Sequence, residues 1–201
     1  MELPQPTSEV EAVNVLLDVI GSAPVNTLEG ALPLDAVRAR KKLAWISRIV
    51  QTEGWQFNSE KDFPLTPNED GELVVPLNTI RVGARRIYGD VTQRGLRLYD
   101  RKNHTFTFMG ALKVNLVLNL PFEELPDFAR QYITIRAARE FQQTAPGDPQ
   151  SDRFTAEHEL RARAEMMRSD GKNGNLNILN GMGTYRPGAV LQNRGGDGSS
   201  L

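Results

Sequence analysis

Three carboxylates, Glu123, Glu124 and Asp127, crowd the stretch "FEELPDFARQYITIRAAREF" at 122–141. Two carboxylates on opposite sides of a glycosidic bond can cleave it, one as acid and the other as base or nucleophile. That chemistry needs a set separation across a cleft, which nearness in sequence does not supply. Acidic residues just before and within the first turn of a helix also stabilise the positive end of its dipole. Pro126 fits such a first turn, where a missing N–H costs nothing. The trio therefore reads as a helix start. A glycan hydrolase pairing Glu123 or Glu124 with a distant acid is the competing reading.

Other reactive side chains offer less. The chain holds no cysteine, so disulfides, zinc–thiolate sites and thiol nucleophiles are excluded. His104 falls in a polar turn and His158 in a charged helical stretch, without metal-ligand spacing, and both read as surface histidines. Asn103-His104-Thr105 matches a glycosylation sequon, idle without a secretory signal. Gly181-Met182-Gly183 and the glycines at 195–198 follow no strand and open no helix, so they make no phosphate loop. The run "EHELRARAE" mixes signs at helical spacing, as a solvated or interfacial helix face does. No catalytic, cofactor-binding or metal-ligating residue is assigned.

Composition sets the frame. Of 201 residues, 39% are hydrophobic and 24% charged, as in a soluble globular protein. A formal net charge of −1 gives no broad cationic surface for gripping nucleic acid. No apolar run is long enough for a bilayer. The opening "MELPQPTSEVEA" is acidic, without the basic-then-apolar order of a signal peptide. The expectation is a protein assembled in the cytoplasm.

The elements follow from periodicity. Ser8 and Glu11 form a capping box before Val10, Val13, Leu17 and Ile20, and Gly21 ends that helix. A second helix spans about 34–53, with Ala36, Ala39, Leu43, Ile46 and Val50 on one stripe and Arg38, Arg40, Lys41, Lys42 and Arg48 mostly off it. At Trp55 the period changes. "WQFN" reads as extended, with Trp55 and Phe57 on one side and Trp55 placed to join bundle and sheet. Strands and turns continue to about 120, including a turn at Asp70-Gly71 and the alternating strand "LKVNLVLNL". A third helix carries Phe128, Tyr132, Ile135, Ala138 and Phe141. A fourth, about 151–169, is expected to bury Phe154, Leu160, Ala164 and Met167.

The fold class is α+β: about four helices in a bundle, a small mainly antiparallel sheet inserted between helix pairs, and a glycine-rich extended C-terminal arm. The division is 1–58 with 121–170 for the bundle, 59–120 for the β-rich insertion and 171–201 for the arm. Eight of the 17 glycines lie in the arm. Between them sit Leu176, Ile178, Leu179, Met182, Tyr185 and Val190, too apolar for a plain spacer. They are the candidate interface residues, expected to lie along a neighbour.

"AVNVLLDVIGSAPVNTLEG" at 12–30 and "DAVRARKKLAWISRIVQTEGWQFN" at 35–58 resemble the tail tubular protein A family, the head-to-tail adaptors of short-tailed phages. The shared pattern is Ala12-Val13-Asn14, Ile20-Gly21, Pro24-Val25, Thr27-Leu28-Glu29-Gly30, Ala39-Arg40 and Gly54-Trp55-Gln56-Phe57-Asn58. Tyr99-Asp100-Arg101 and "LPDFARQYITIRAAREFQ" are similar too, and the likeness covers about 8–170. It implies a virion protein of the tail without enzymatic activity or cofactor. By the resemblance, twelve copies ring the space between the portal protein and a nozzle protein. Tail fibres attach nearby, and genomic double-stranded DNA crosses the channel without sequence-specific binding or any membrane contact. A tail-associated glycan hydrolase remains the alternative.

Overall fold

The computed structural model describes residues 8–84, 90–143 and 154–178. Helix α1 is Glu9–Val19 and α2 is Leu34–Thr52. Five strands follow: β1 (Ser59–Leu65), β2 (Thr79–Ala84), β3 (Val91–Arg94), β4 (Arg97–Asp100) and β5 (Leu112–Leu118). Then come α3 (Asp127–Gln142) and α4 (Ala156–Ile178). The α+β class and the strands lodged between two helix pairs are as expected.

Helix α1 starts at the capping box of Ser8 and Glu11, each side chain meeting the other residue's backbone N–H at 3.2 Å. It ends where Ser22 N–H donates to Leu17 O (3.0 Å) and Gly21 N–H to Asp18 O (3.1 Å). Gly21 takes φ +70° there, a left-handed backbone that glycine adopts without a Cβ penalty. The apolar stripe of α2 is buried as its spacing predicts, from Ala36 to Val50. Helix α3 lies at the centre and packs on α1, α2 and α4. Contact on three sides explains why Ala129, Tyr132, Ile133, Ile135, Ala137, Ala138 and Phe141 are buried around so much of its circumference.

Helix α4 corrects the sequence reading. Leu160 and Met167 are 67% and 55% exposed, and Ala164 is exposed with them. The buried side is Phe154, Ala162, Met166 and Asp170. Polar anchors turn the helix this way. Glu159 pairs with Arg139 on α3, and Arg163 reaches Glu53 (2.7 Å) and the Tyr132 hydroxyl (3.1 Å). A count of apolar residues alone sees none of these. The helix also runs on to Ile178, past the boundary at 170 expected for the arm.

The main sheet has order β1-β5-β2, antiparallel throughout, and β3 and β4 form a separate hairpin. Pro64 is tolerated in β1 because that strand is an edge. The "WQFN" stretch is not extended: Gln56–Asn58 form one 3-10 turn before β1. Two apolar clusters result. The larger joins all four helices; the smaller, built on Leu65, Leu73, Val75, Leu98, Val114 and Leu116, serves the strands.

Candidate assembly surfaces

Glu123 and Glu124 lie in the 3-10 turn Phe122–Glu124, and Asp127 is the first residue of α3, paired with Arg130. Glu123 accepts a hydrogen bond from Glu9 N–H at 3.4 Å, so it serves the free donors at the start of α1 and not the start of α3. Glu9 in turn holds Arg40 (2.9 Å). Together with Leu43, Ala44, Ser47 and Phe122, Glu9 and Glu123 line a cleft of about 210 Å³. That is below the usual range for small-molecule sites, roughly 300–1,000 Å³.

The histidines are accounted for locally. His104 sits exposed in a turn at φ +55°. His158 accepts from Thr155 N–H through Nδ1, while Thr155 Oγ1 accepts from His158 N–H, both at 3.3 Å. This is a capping box for α4 with histidine in the place usually held by glutamate. Among the described residues no group of three or more His, Asp or Glu could hold a metal ion, and no helix is long and apolar enough to cross a membrane.

The joint between helices and sheet is polar and buried. Gln51, fully buried, donates from Nε2 to Leu120 O (3.1 Å) and accepts from Leu120 N–H (2.7 Å), so its amide pairs with that residue as a neighbouring strand would. Asn58 Nδ2 donates to Gln51 O and Leu118 O, both at 2.8 Å, and its Oδ1 accepts from Trp55 N–H at 2.8 Å. The end of α2 and the end of β5 are thereby clamped together. Gly54 turns the chain between them at φ +80°; a Cβ there would lie 3.0 Å from the Arg81 guanidinium and 3.2 Å from Val117.

Trp55 and Phe57 are half-buried against the helical cluster. Trp55 Nε1 donates to Val50 O (2.7 Å), folding the indole back along α2, and the Phe57 ring meets Phe128 edge-on at 6.1 Å. The link to the sheet passes instead through Gln51 and Asn58, which apolar periodicity could not reveal. Asp170 closes the joint from α4: its carboxylate accepts from Gln56 N–H at 3.0 Å. Burial pushes this carboxyl above the usual aspartate range, and the backbone N–H groups of Gln56 and Phe57 oppose the shift. Arg163 is held above its ordinary guanidinium range, first by its bond to Glu53 and next by Tyr132.

Large apolar side chains stand exposed on both the helices and the β region. On the helices, the large exposed hydrophobics among the described residues are Leu34 and Trp45 of α2 and Leu160 and Met167 of α4. The β region exposes Val74, Leu77, Leu96 and Met109. Of the candidate arm residues, Leu176 and Ile178 belong to the last turns of α4 by backbone. Leu179, Met182, Tyr185 and Val190 lie outside the described residues.

A family model described as tail tubular protein matches residues 10–176. A curated relative, "Tail tubular protein A" of Klebsiella phage KP34, is 33% identical over 129 residues, which cover 62% of this chain and 66% of the relative. With nearly all of both helix pairs and every strand inside the matched span, the chain belongs to the tail tubular protein family and is a structural component of a bacteriophage tail.

Proposed function

We propose that the chain is the head-to-tail adaptor: twelve copies close into a ring between the portal and the tail nozzle. The ring lines the DNA channel and helps to anchor the tail fibres. The role is structural and not enzymatic. The observation that carries this reading is the pair of unlike exposed apolar faces on α2 and α4. A closed ring is a heterologous assembly in which every subunit needs two different complementary faces. Family membership supports the reading, and so does the net charge of −1, which suits a conduit that DNA slides through without being gripped.

The test is particle mass in solution with and without portal protein. A mass step corresponding to about twelve chains on the portal ring is expected, in line with closed cyclic symmetry. A chain that leaves the portal unchanged in mass would contradict the reading.

A further inference from the structure

We propose that α4 is a latch held mainly by charge: in the free chain it opens from the body as a unit while α1, α2 and α3 stay packed, and ionic strength sets how often. The inward side of α4 is Glu159, Ala162, Arg163, Met166 and Asp170, a stripe at helical spacing in which three side chains of five are charged. Among the described side chains of α4, 156–172, the buried apolar ones are Ala162 and Met166, with Phe154 ahead of the first turn. Ion pairs also join α1 to α2, through Glu9 and Arg40, and α2 to α3, through Lys42 and Glu140. There they flank seams to which each helix brings at least four buried apolar side chains, as α1 does with Ala12, Val13, Leu16 and Leu17. Helix α4 has no such seam among the described residues.

The charged contacts are laid along α4 in three steps. Glu159 pairs with Arg139 and lies 3.8 Å from Arg136, both on α3. Arg163 pairs with Glu53, just past the end of α2, and donates to the Tyr132 hydroxyl. Asp170 accepts from Gln56 N–H with both carboxylate oxygens, at 3.0 and 3.2 Å. The side chains of Arg163 and Glu53 are each 36% exposed, and those of Arg139 and Glu159 26% and 18%, so water and salt reach them. Ion pairs so placed add little net stability, and they fade as the screening length falls from ~10 Å at 0.1 M salt to ~3 Å at 1 M. What they fix is register. A slide of one turn would bring Glu159 or Met167 opposite Glu53, so the charges hold α4 in one place without holding it hard. The outward Glu157 and Arg161, and Glu165 and Arg168, pair within the helix and stay paired when it opens. Residues 179–201 follow α4 in the chain, so an open α4 displaces the point from which the candidate arm departs.

Hydrogen–deuterium exchange of the full chain, read by peptide mass spectrometry under native conditions, tests this. In low salt the amides of α4 should exchange together, and faster than the buried amides of α1, α2 and α3, through an opening that the rest of the chain does not share. Raising sodium chloride to about 1 M should speed α4 on the order of tenfold, as the loss of two weak ion pairs would, with little change in the other helices. Arg163→Met keeps the aliphatic stem and removes the pair with Glu53. It should give α4 its high-salt behaviour in low salt and blunt the response to added salt. Glu53→Arg combined with Arg163→Glu restores an opposite-charge pair and should slow α4 again, a rescue that a purely steric role would not give. Amides of α4 that exchange only in step with those of α1 to α3 would overturn the proposal. So would salt that speeds all four helices alike, or an opening of α4 indifferent to salt or to Arg163→Met.

Discussion

The helical region and the β region bury their apolar residues in different ways. Among the described residues the helices share one cluster of 21 buried residues, whereas the strands rest on six. Around the small cluster the chain is held by turns and backbone bridges, such as Glu72 with Thr107 and Val74 with Arg97. It is held also by stacked side chains, with Arg94 3.6 Å over Tyr99 and Arg97 4.3 Å over Phe106. The difference teaches where stability resides. The helices form the scaffold, the strands are carried by it, and the joint of Gln51 and Asn58 transmits the one to the other.

The largest expected effect lies in the scaffold. Tyr132→Ala removes a fully buried ring at the meeting point of the helices and should cost about 3–5 kcal/mol. Leu98→Ala, in the smaller cluster, should cost about 2–3 kcal/mol, because a site bounded by turns can collapse around the cavity. Denaturant midpoints decide the order, and a larger loss from Leu98→Ala would break the comparison. Gln51→Leu comes next. It strips Leu120 of partners for both its N–H and its C=O, at about 2–4 kcal/mol in total. Amide exchange at Leu120 should rise with it, and exchange that stays slow would remove Gln51 from the joint.

Two glycines sharpen the contrast. Gly54 and Gly95 both take left-handed backbone, at φ +80° and +63°. A Cβ on Gly95 meets nothing within 4 Å, while one on Gly54 presses on Arg81 and Val117. Gly95→Ala should cost about 1–2 kcal/mol for backbone strain alone, and thermal unfolding should show Gly54→Ala to be worse. Equal losses would mean that the joint has room to give.

Asp170 supplies the pH dependence. Its folded pKa is raised, so the folded state holds this proton more tightly than the unfolded chain does. The stability it contributes is full below the ordinary aspartate pKa and declines as pH rises through the raised value. Asp170→Asn keeps an acceptor for Gln56 N–H without the charge. It should lie within about 1 kcal/mol of wild type at pH 7, with any advantage over wild type shrinking as the solution is acidified. Comparing the two proteins cancels the opposite behaviour of Asp100, whose carboxyl is held low by the N–H and side-chain amide of Asn103. An advantage that grows toward acid would contradict the assignment. The smallest effects belong to Glu123→Gln, Glu124→Gln and Asp127→Asn, each at most about 1 kcal/mol with assembly intact. Release of sugars from capsule glycan by the purified chain, stopped by one of these changes, would establish the enzymatic reading instead.

Much of this architecture is legible in the sequence where one face is apolar and the other polar. The capping box at Ser8, the stripe from Ala36 to Val50 and the alternation along β5 all carry a period that burial imposes. Helix α4 departs from its apolar period because its inward side is fixed by Glu159, Arg163 and Asp170, charged residues that periodicity assigns to solvent. Leu160 and Met167 fit the apolar period yet face outward, and they mark the assembly face proposed for α4. Gln51 and Asn58 carried no signal, since a polar side chain becomes structural only when a distant backbone meets it. Glu123 stands in sequence as a cap for the helix next to it, yet it serves α1, which only tertiary structure brings near.

The central claim is that this chain builds a ring through its helices. A three-dimensional electron microscopy reconstruction of purified tails tests it most directly. The account predicts a closed ring of copies between portal and nozzle, joined through the exposed faces of α2 and α4. A ring joined through the β region, or a tail in which single copies stand apart, would contradict it.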